Sequence, residues 1–320
     1  MSLENQDELM RQCVDYYYNR ELSQAEIAKR LFISRSSVCR LLKMAKEKKI
    51  VRVSINEKII ARCPVLEKTF MNLFGLENAI ITFDSEDTER TGQVSKATAQ
   101  YLDSLLHDGT VIAISRGNTL RNVVKALKGD RKAKISVVQL VGLMNNPEKN
   151  DDEMELAKIF ADAYGGSYYN LYSPFMIEDK KIREIFNQYA AVGKTLEMAE
   201  KADVVLTSIG SYSADDKHII SNSYLSETER RELVDKGAIG LICGNYYDVN
   251  GNIIETSLDD NVIGLEFNKI ISKNVIGVAY GKEKALPVLG ALRGHFLKTL
   301  VIDQMTALNI LIENGVTIDF

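Results

Sequence analysis

Residues 23–42, Ser-Gln-Ala-Glu-Ile-Ala-Lys-Arg-Leu-Phe-Ile-Ser-Arg-Ser-Ser-Val-Cys-Arg-Leu-Leu, hold two helix starts in tandem, and few chain geometries accommodate them. Ser23 is placed to accept a backbone hydrogen bond at a helix start, and Glu26 three residues on completes the reciprocal capping box. Ala25, Ile27, Ala28 and Leu31 then recur at helical spacing as an inward stripe. Ser34 starts a second helix whose Val38, Leu41 and Leu42 face inward, leaving Arg35, Ser36, Ser37 and Arg40 on its exposed early turns. The pair reads as a helix-turn-helix, whose second helix enters the major groove by its N-terminal part. Arginine pairs bidentately with guanine, and serine admits close approach while hydrogen-bonding to bases or phosphate. With Ser34 at the cap, these four residues form the candidate DNA-contacting set. Upstream, Met10, Cys13, Val14 and Tyr17 make the apolar face of a supporting helix. Downstream, residues 50–55, Ile-Val-Arg-Val-Ser-Ile, alternate as a strand, giving a winged arrangement over residues 1–57.

Charge supports the division. Residues 1–62 carry 13 Lys/Arg against 8 Asp/Glu, a net of +5, whereas the whole chain is −4, so the remainder is −9. Only the front segment suits a phosphate backbone. A chain of 320 residues also exceeds the usual single-domain size, so a second domain over residues 58–320 is expected. No long apolar run or signal-like start is evident, which points to a cytoplasmic protein with no membrane partner. The four cysteines form no C-x-x-C pair and the three histidines are dispersed, so neither a disulfide framework nor a metal site is expected. Cys39 and Cys243 are expected as buried, reduced core residues.

Beyond residue 62, short apolar runs alternate with amphipathic stretches, the pattern of an α/β domain with a largely parallel sheet. Strands are expected at 79–83, 111–115, 135–140, 204–209, 239–243, 275–279 and 299–302. Helices are expected at 92–106, 120–128, 153–164, 180–201, 227–235, 282–293 and 304–313. Residues 56–75 read as a linker helix in which Val65, Leu66, Phe70, Leu73 and Phe74 either pair two subunits or pack within their own.

Two turns in this domain suit an anion. In the first, a strand leads into Ser115, Arg116, Gly117, Asn118 and Thr119 and then a helix. Gly117 permits close approach, Asn118 and Thr119 bring donors, Arg116 adds charge, and the helix start presents free N–H groups. The motif matches neither the P-loop nor the dinucleotide fingerprint, so an ordinary strand-to-helix turn is the competing reading. The second is Gly277-Val278-Ala279-Tyr280-Gly281-Lys282-Glu283-Lys284, which puts Lys284 in a first helical turn, where it opposes the macrodipole unless an anion relieves it. Lys282 is its substitute.

In combination, the front motif, Val137-Val138-Gln139-Leu140 with Gly142, Ala238-Ile239-Gly240, residues 246–251 (Tyr-Tyr-Asp-Val-Asn-Gly), residues 263–266 (Ile-Gly-Leu-Glu), and Ala291-Leu292-Arg293-Gly294 leading to residues 300–304 (Leu-Val-Ile-Asp-Gln) resemble the SorC family of bacterial transcriptional regulators, including deoxyribonucleoside-type regulators. The resemblance spans nearly the full length. It implies a winged helix-turn-helix followed by a large Rossmann-like effector domain related to sugar-phosphate isomerases, a phosphorylated sugar as effector, and assembly as a homodimer or homotetramer. It also implies phosphate on the turn at Ser115, Gly117, Asn118 and Thr119 and on Lys284. Gly142, Asn150 and Asp248 are the candidates for the sugar end, with Asp248 alternatively closing a turn ahead of Val249-Asn250-Gly251.

Three positions depart from the family. Where its members often carry a basic residue and a glycine pair, this chain has Val141, Gly142 and Leu143, and where Gly-Asp is frequent it has Gly240-Leu241. Valine has no amine, so an imine at Val141 is impossible. A smaller or less polar effector follows, or an effector response partly lost. No cofactor is called for. The expected function is a DNA-binding regulator of carbohydrate metabolism whose operator affinity is set by the effector. The alternatives are a regulator-like protein with a degenerate pocket and an isomerase-like enzyme; isomerisation needs acid and base groups converging on the sugar, and this chain has lost the basic and acidic residues at two of the family's contact positions.

Overall fold

The structure is a computed structural model that describes residues 3–48, 50–51, 60–83, 87–129, 132–144, 154–213 and 223–316. It divides into two compact units, Met1–Ile59 and Ile60–Phe320.

In the first unit, α1 (Leu3–Val14) runs into a π-helical turn at Asp15–Asn19, followed by α2 (Gln24–Arg30) and α3 (Arg35–Glu47). Met10, Cys13, Ile27, Ala28, Val38, Leu41, Leu42 and Ala45 are buried together as its core. Two sequence expectations are corrected. The π-turn shifts the register of side chains after Val14, so Tyr16 and Tyr18 pack on the core and Tyr17 is exposed. Ala25, on the first turn of α2, faces solvent instead of joining Ile27 and Ala28. The 50–55 strand falls mostly on residues 52–59, outside the described residues.

The second unit begins with α4 (Pro64–Phe74), which packs on its own unit. Buried Glu67 accepts hydrogen bonds from the Ile81 amide (2.9 Å) and the Arg62 guanidinium (2.6 Å), and Phe70 and Phe74 enter the core. Val65 and Leu73 remain exposed. The chain then lays down β1 (Asn78–Thr82), α5 (Asp87–Leu105), β2 (Val111–Ile114), α6 (Asn118–Ala126), β3 (Ser136–Gln139), α7 (Met154–Tyr164), β4 (Ser167–Tyr169), α8 (Lys180–Gln188), α9 (Ala190–Glu200) and β5 (Val204–Ser208). The short strands β6 (Gly210–Ser211), β7 (Gly240–Ile242), β8 (Asn245–Tyr247) and β9 (Ile253–Ile254) follow, with α10 (Glu227–Asp235) between β6 and β7. After two short helices, α11 (Leu258–Asn261) and α12 (Phe267–Ile271), come β10 (Asn274–Val278), a 3-10 turn at Lys282–Lys284, α13 (Ala285–Arg293), β11 (Thr299–Asp303) and α14 (Gln304–Glu313).

Seven strands form a parallel sheet in the order β1-β11-β10-β5-β2-β3-β4, with apolar clusters on both faces as a doubly covered parallel sheet requires. From β2 the chain goes outward to β3 and β4, then returns to place β5 on the other side of β2 and continues to β10 and β11. The order reverses between β2 and β5, and ligands of open α/β sheets bind outside the carboxyl ends of the strands at such a reversal.

Residues 239–243, expected in the main sheet, instead supply β7 of a separate antiparallel sheet, β6-β7-β8-β9. The cause is the two-residue turn Cys243-Gly244, with φ of 49° and 87°, which folds β8 straight back on β7. The single helix expected over 180–201 is two, because Tyr189 adopts extended backbone (φ −62°, ψ 125°) between α8 and α9.

Candidate functional site

Two regions carry candidate functional groups. In the first unit, Ser23 and Glu26 form the anticipated capping box, with the Glu26 carboxylate accepting the Ser23 amide at 2.8 Å. Hydrogen bonds from the Ser23 side chain and amide hold the Glu26 carboxyl below its ordinary range. Ser34 caps α3, accepting the Ser37 amide at 3.1 Å, and its hydroxyl lies 2.8 Å from those of both Ser36 and Ser37. With Val38, Leu41, Leu42 and Ala45 buried, the solvent face of α3 presents Arg35, Ser36 and Arg40, with Ser37 partly covered. Lys43 extends the same face one turn further and was missed, although its spacing from Ser36 and Arg40 was readable in the sequence. Cys39 is exposed, not buried, because it lies on this face.

In the second unit, the turn after β2 and the end of β5 meet at the sheet's point of reversal. Ser115 is buried, with its hydroxyl 2.9 Å from that of Thr207. The Ser208 hydroxyl donates to the Arg116 carbonyl at 3.2 Å. Gly117 has φ 128°, and a Cβ there would lie 3.1 Å from Ser208 Oγ, so only glycine fits both the backbone and the approach of β5. As N-cap of α6, Gly117 supplies no side chain to the helix's first N–H groups, and Asn118 and Thr119 occupy the first turn. Arg116 is half-buried beside Tyr224, and burial lowers its guanidinium to about 10. It remains charged at neutral pH, at a desolvation cost that a nearby anion offsets.

The turn opening α13 reaches the same stretch. Lys284 donates from Nζ to Ser211 Oγ at 2.9 Å. Ser211 is three residues beyond Ser208, so the turn at Gly117 and Lys284 each touch a serine of the segment that leaves β5. Three residues before the lysine, the Gly281 amide donates to buried Asp303 at 2.9 Å, which ends β11 and caps α14 through Thr306. Lys282 is exposed and makes no comparable approach.

Thr207, Ser208, Ser211 and Tyr224 had no expected role in a site, and Cys243 was expected only as a core residue. The readable signal was the hydroxyl cluster at the carboxyl end of the 204–209 run. Cys243 comes from the turn between β7 and β8 and donates to Thr207 Oγ1 at 3.3 Å, and its burial pushes the thiol up to about 11. It is partly rather than fully buried, being pinned in the turn. A small cleft beside this network is lined by Ile114, Ser115, Arg116, Gln139, Val141, Leu156 and Ala157. Val141 thus puts an aliphatic wall where the sequence lacked an amine.

The sugar-end candidates Gly142, which follows Val141 of the cleft lining, and Asp248 make structural contacts of their own. Gly142 is hemmed in by backbone: its amide donates to Ile263 O at 2.8 Å, and a Cβ would fall 2.3 Å from Pro174 O. Asp248 closes the turn between β8 and β9, accepting the amides of Asn250 and Asn252 at 2.9 Å each and the Asn252 side chain at 2.9 Å. Slight burial works against ionisation, yet those hydrogen bonds, led by that of Asn252, keep its carboxyl below the ordinary range. Leu241 is buried in β7 against Gly210. Asn150 lies outside the described residues.

The family model described as "Putative sugar-binding domain" matches residues 58–312, and that of region 4 of sigma-70 matches residues 4–48. The chain is 29% identical over 297 residues to the deoxyribonucleoside regulator of Bacillus subtilis, covering 91% of this chain and 93% of that protein. It is 27% identical over 317 residues to the sorbitol operon regulator of Klebsiella pneumoniae, covering 95% and 98%. The crystal structure of that full-length regulator has a TM-score of 0.71 over 95% of this chain and 98% of its own. A regulator structure from Streptococcus pneumoniae, 22% identical with a TM-score of 0.72, shares the fold.

Proposed function

This chain belongs to the SorC family of transcriptional regulators, which join a helix-turn-helix to a sugar-binding domain, and on that premise we propose that a small phosphorylated sugar controls its affinity for duplex operator DNA. One observation carries the reading: the Gly117 turn, with its uncapped helix start, packs on Ser208 where the strand order reverses, and Lys284, following the neighbouring strand β10, holds Ser211 three residues further along the same segment. A phosphate there gains the N–H groups and dipole of α6 together with a lysine. It also offsets the desolvation of Arg116.

Ser115, Arg116, Gly117, Asn118, Thr119 and Lys284 are the proposed phosphate ligands, with Ser208 and Ser211 added. The buried side chains of Val141, Ile114, Leu156 and Ala157 offer no hydrogen-bond partner to a ligand hydroxyl beside Ser115 and Arg116. In this reading the chain works as a homodimer or homotetramer, and ligand and DNA are coupled because the ligand prefers one arrangement of subunits.

The test is a thermal-shift series with pentose and hexose phosphates, the unphosphorylated sugars and inorganic phosphate. A ligand that binds only the native state raises the melting temperature. The expected result is a shift with one sugar phosphate that Lys284→Ala abolishes while DNA affinity in a gel shift is retained. A Lys284→Ala protein that responds at wild-type concentrations refutes the site, and no shift with any compound favours the degenerate pocket.

A further inference from the structure

Phe32 lies in the turn between α2 and α3, two residues before the Ser34 cap, with 95% of its surface exposed and a φ of 55°. Both properties work against folding. The left-handed backbone region disfavours any side chain, and most of all a bulky one, so glycine or asparagine suits this position better. A ring left in water also contributes nothing to the core. The unit therefore gains nothing on its own from an aromatic residue here, and strain retained without internal compensation points to a contact outside the folded chain.

The surroundings specify the partner. Between Glu26 and Glu47 the chain contains no acidic residue, and Lys29, Arg30, Arg35, Arg40, Lys43 and Lys46 all lie exposed in that span. An apolar ring in a stretch of exposed residues whose charges are all positive does not suit a second copy of the same stretch, because the cations would repel. It fits a polyanion that alternates charge with apolar faces. Duplex DNA does this, with deoxyribose rings between its phosphates.

We infer that Phe32 packs against the sugar–phosphate backbone beside the groove that α3 enters, as an apolar anchor among phosphate-binding cations. The inference rests on the DNA-binding reading of the first unit and adds to it a residue that the capping and stripe pattern of the helix-turn-helix does not mark.

Fluorescence anisotropy of the full chain tests it, using a duplex enriched by the wild-type protein from a randomised pool and a scrambled duplex of the same length. Phe32→Gly is expected to weaken binding to both by about tenfold, the effect of losing one buried aromatic contact. The slope of log K against log salt stays unchanged, because no cation is removed, whereas Arg40→Ala flattens it. Phe32→Leu recovers part of the loss. Phe32→Gly also relieves the backbone, so its melting temperature stays at or above that of the wild type and unfolding does not explain weaker binding. Wild-type affinity in Phe32→Gly overturns the inference. So does a change in the sedimented mass of the DNA-free variant, which makes another copy of the chain the partner. A wild-type protein that enriches no duplex overturns the DNA-binding reading, and this inference with it.

Discussion

Cys243 and Cys39 show how place in the fold separates two side chains of one chemical type. Cys39 sits one residue from buried Val38, yet helical geometry turns it to solvent on the face of Arg40. Cys243 is held at φ 49° in a hairpin turn with its thiol on Thr207. Its pKa is raised to about 11 from an ordinary 9.0, so the folded state holds this proton more tightly than the unfolded chain does. The resulting contribution to stability is intact below about pH 9 and is lost as pH rises toward 11. Urea melts of the wild type and Cys243→Ala are expected to converge over that interval, and curves that stay parallel refute the assignment.

At the level of elements, local signals decided the ends and tertiary contacts decided the alignments. The α2 start follows from Ser23 and Glu26 alone, and Ser23→Ala is expected to cost about 1 kcal/mol, read as a lower urea midpoint with unchanged steepness. No change in midpoint counts against the cap. The helix expected over 180–201 had no such signal at its break. Tyr189 is neither glycine nor proline, yet its backbone is extended between α8 and α9. Apolar runs such as 239–243 likewise suit either a parallel or an antiparallel strand, and the turn that follows chose the second.

For the whole molecule, charge is segregated: the net +5 of residues 1–62 contrasts with −9 for the rest. DNA affinity is therefore expected to fall steeply with salt, by roughly tenfold or more between 50 and 200 mM, through counterion release. Binding of the sugar phosphate, which involves one or two charges in a partly buried cleft, is expected to fall far less. Isothermal titration of each ligand across that range measures both slopes, and equal slopes contradict the division of labour between the units.

The helix-turn-helix, the α/β character of the second unit and the Gly117 turn were legible in the sequence because each rests on periodicity or on residues close together in the chain. The candidate site was legible only in part. Thr207, Ser208, Ser211 and Cys243 join Ser115 and Lys284 through strand order and a hairpin, and contacts between residues 92 and 73 positions apart leave no local pattern. Gly142 and Asp248 show the converse: residue types suited to gripping a ligand are committed to a backbone crossing and a turn. Sequence alone determined which segments fold and where charge lies, since both depend on neighbours in the chain. Tertiary structure decided which polar groups become neighbours, because that depends on the order in which the strands are laid side by side.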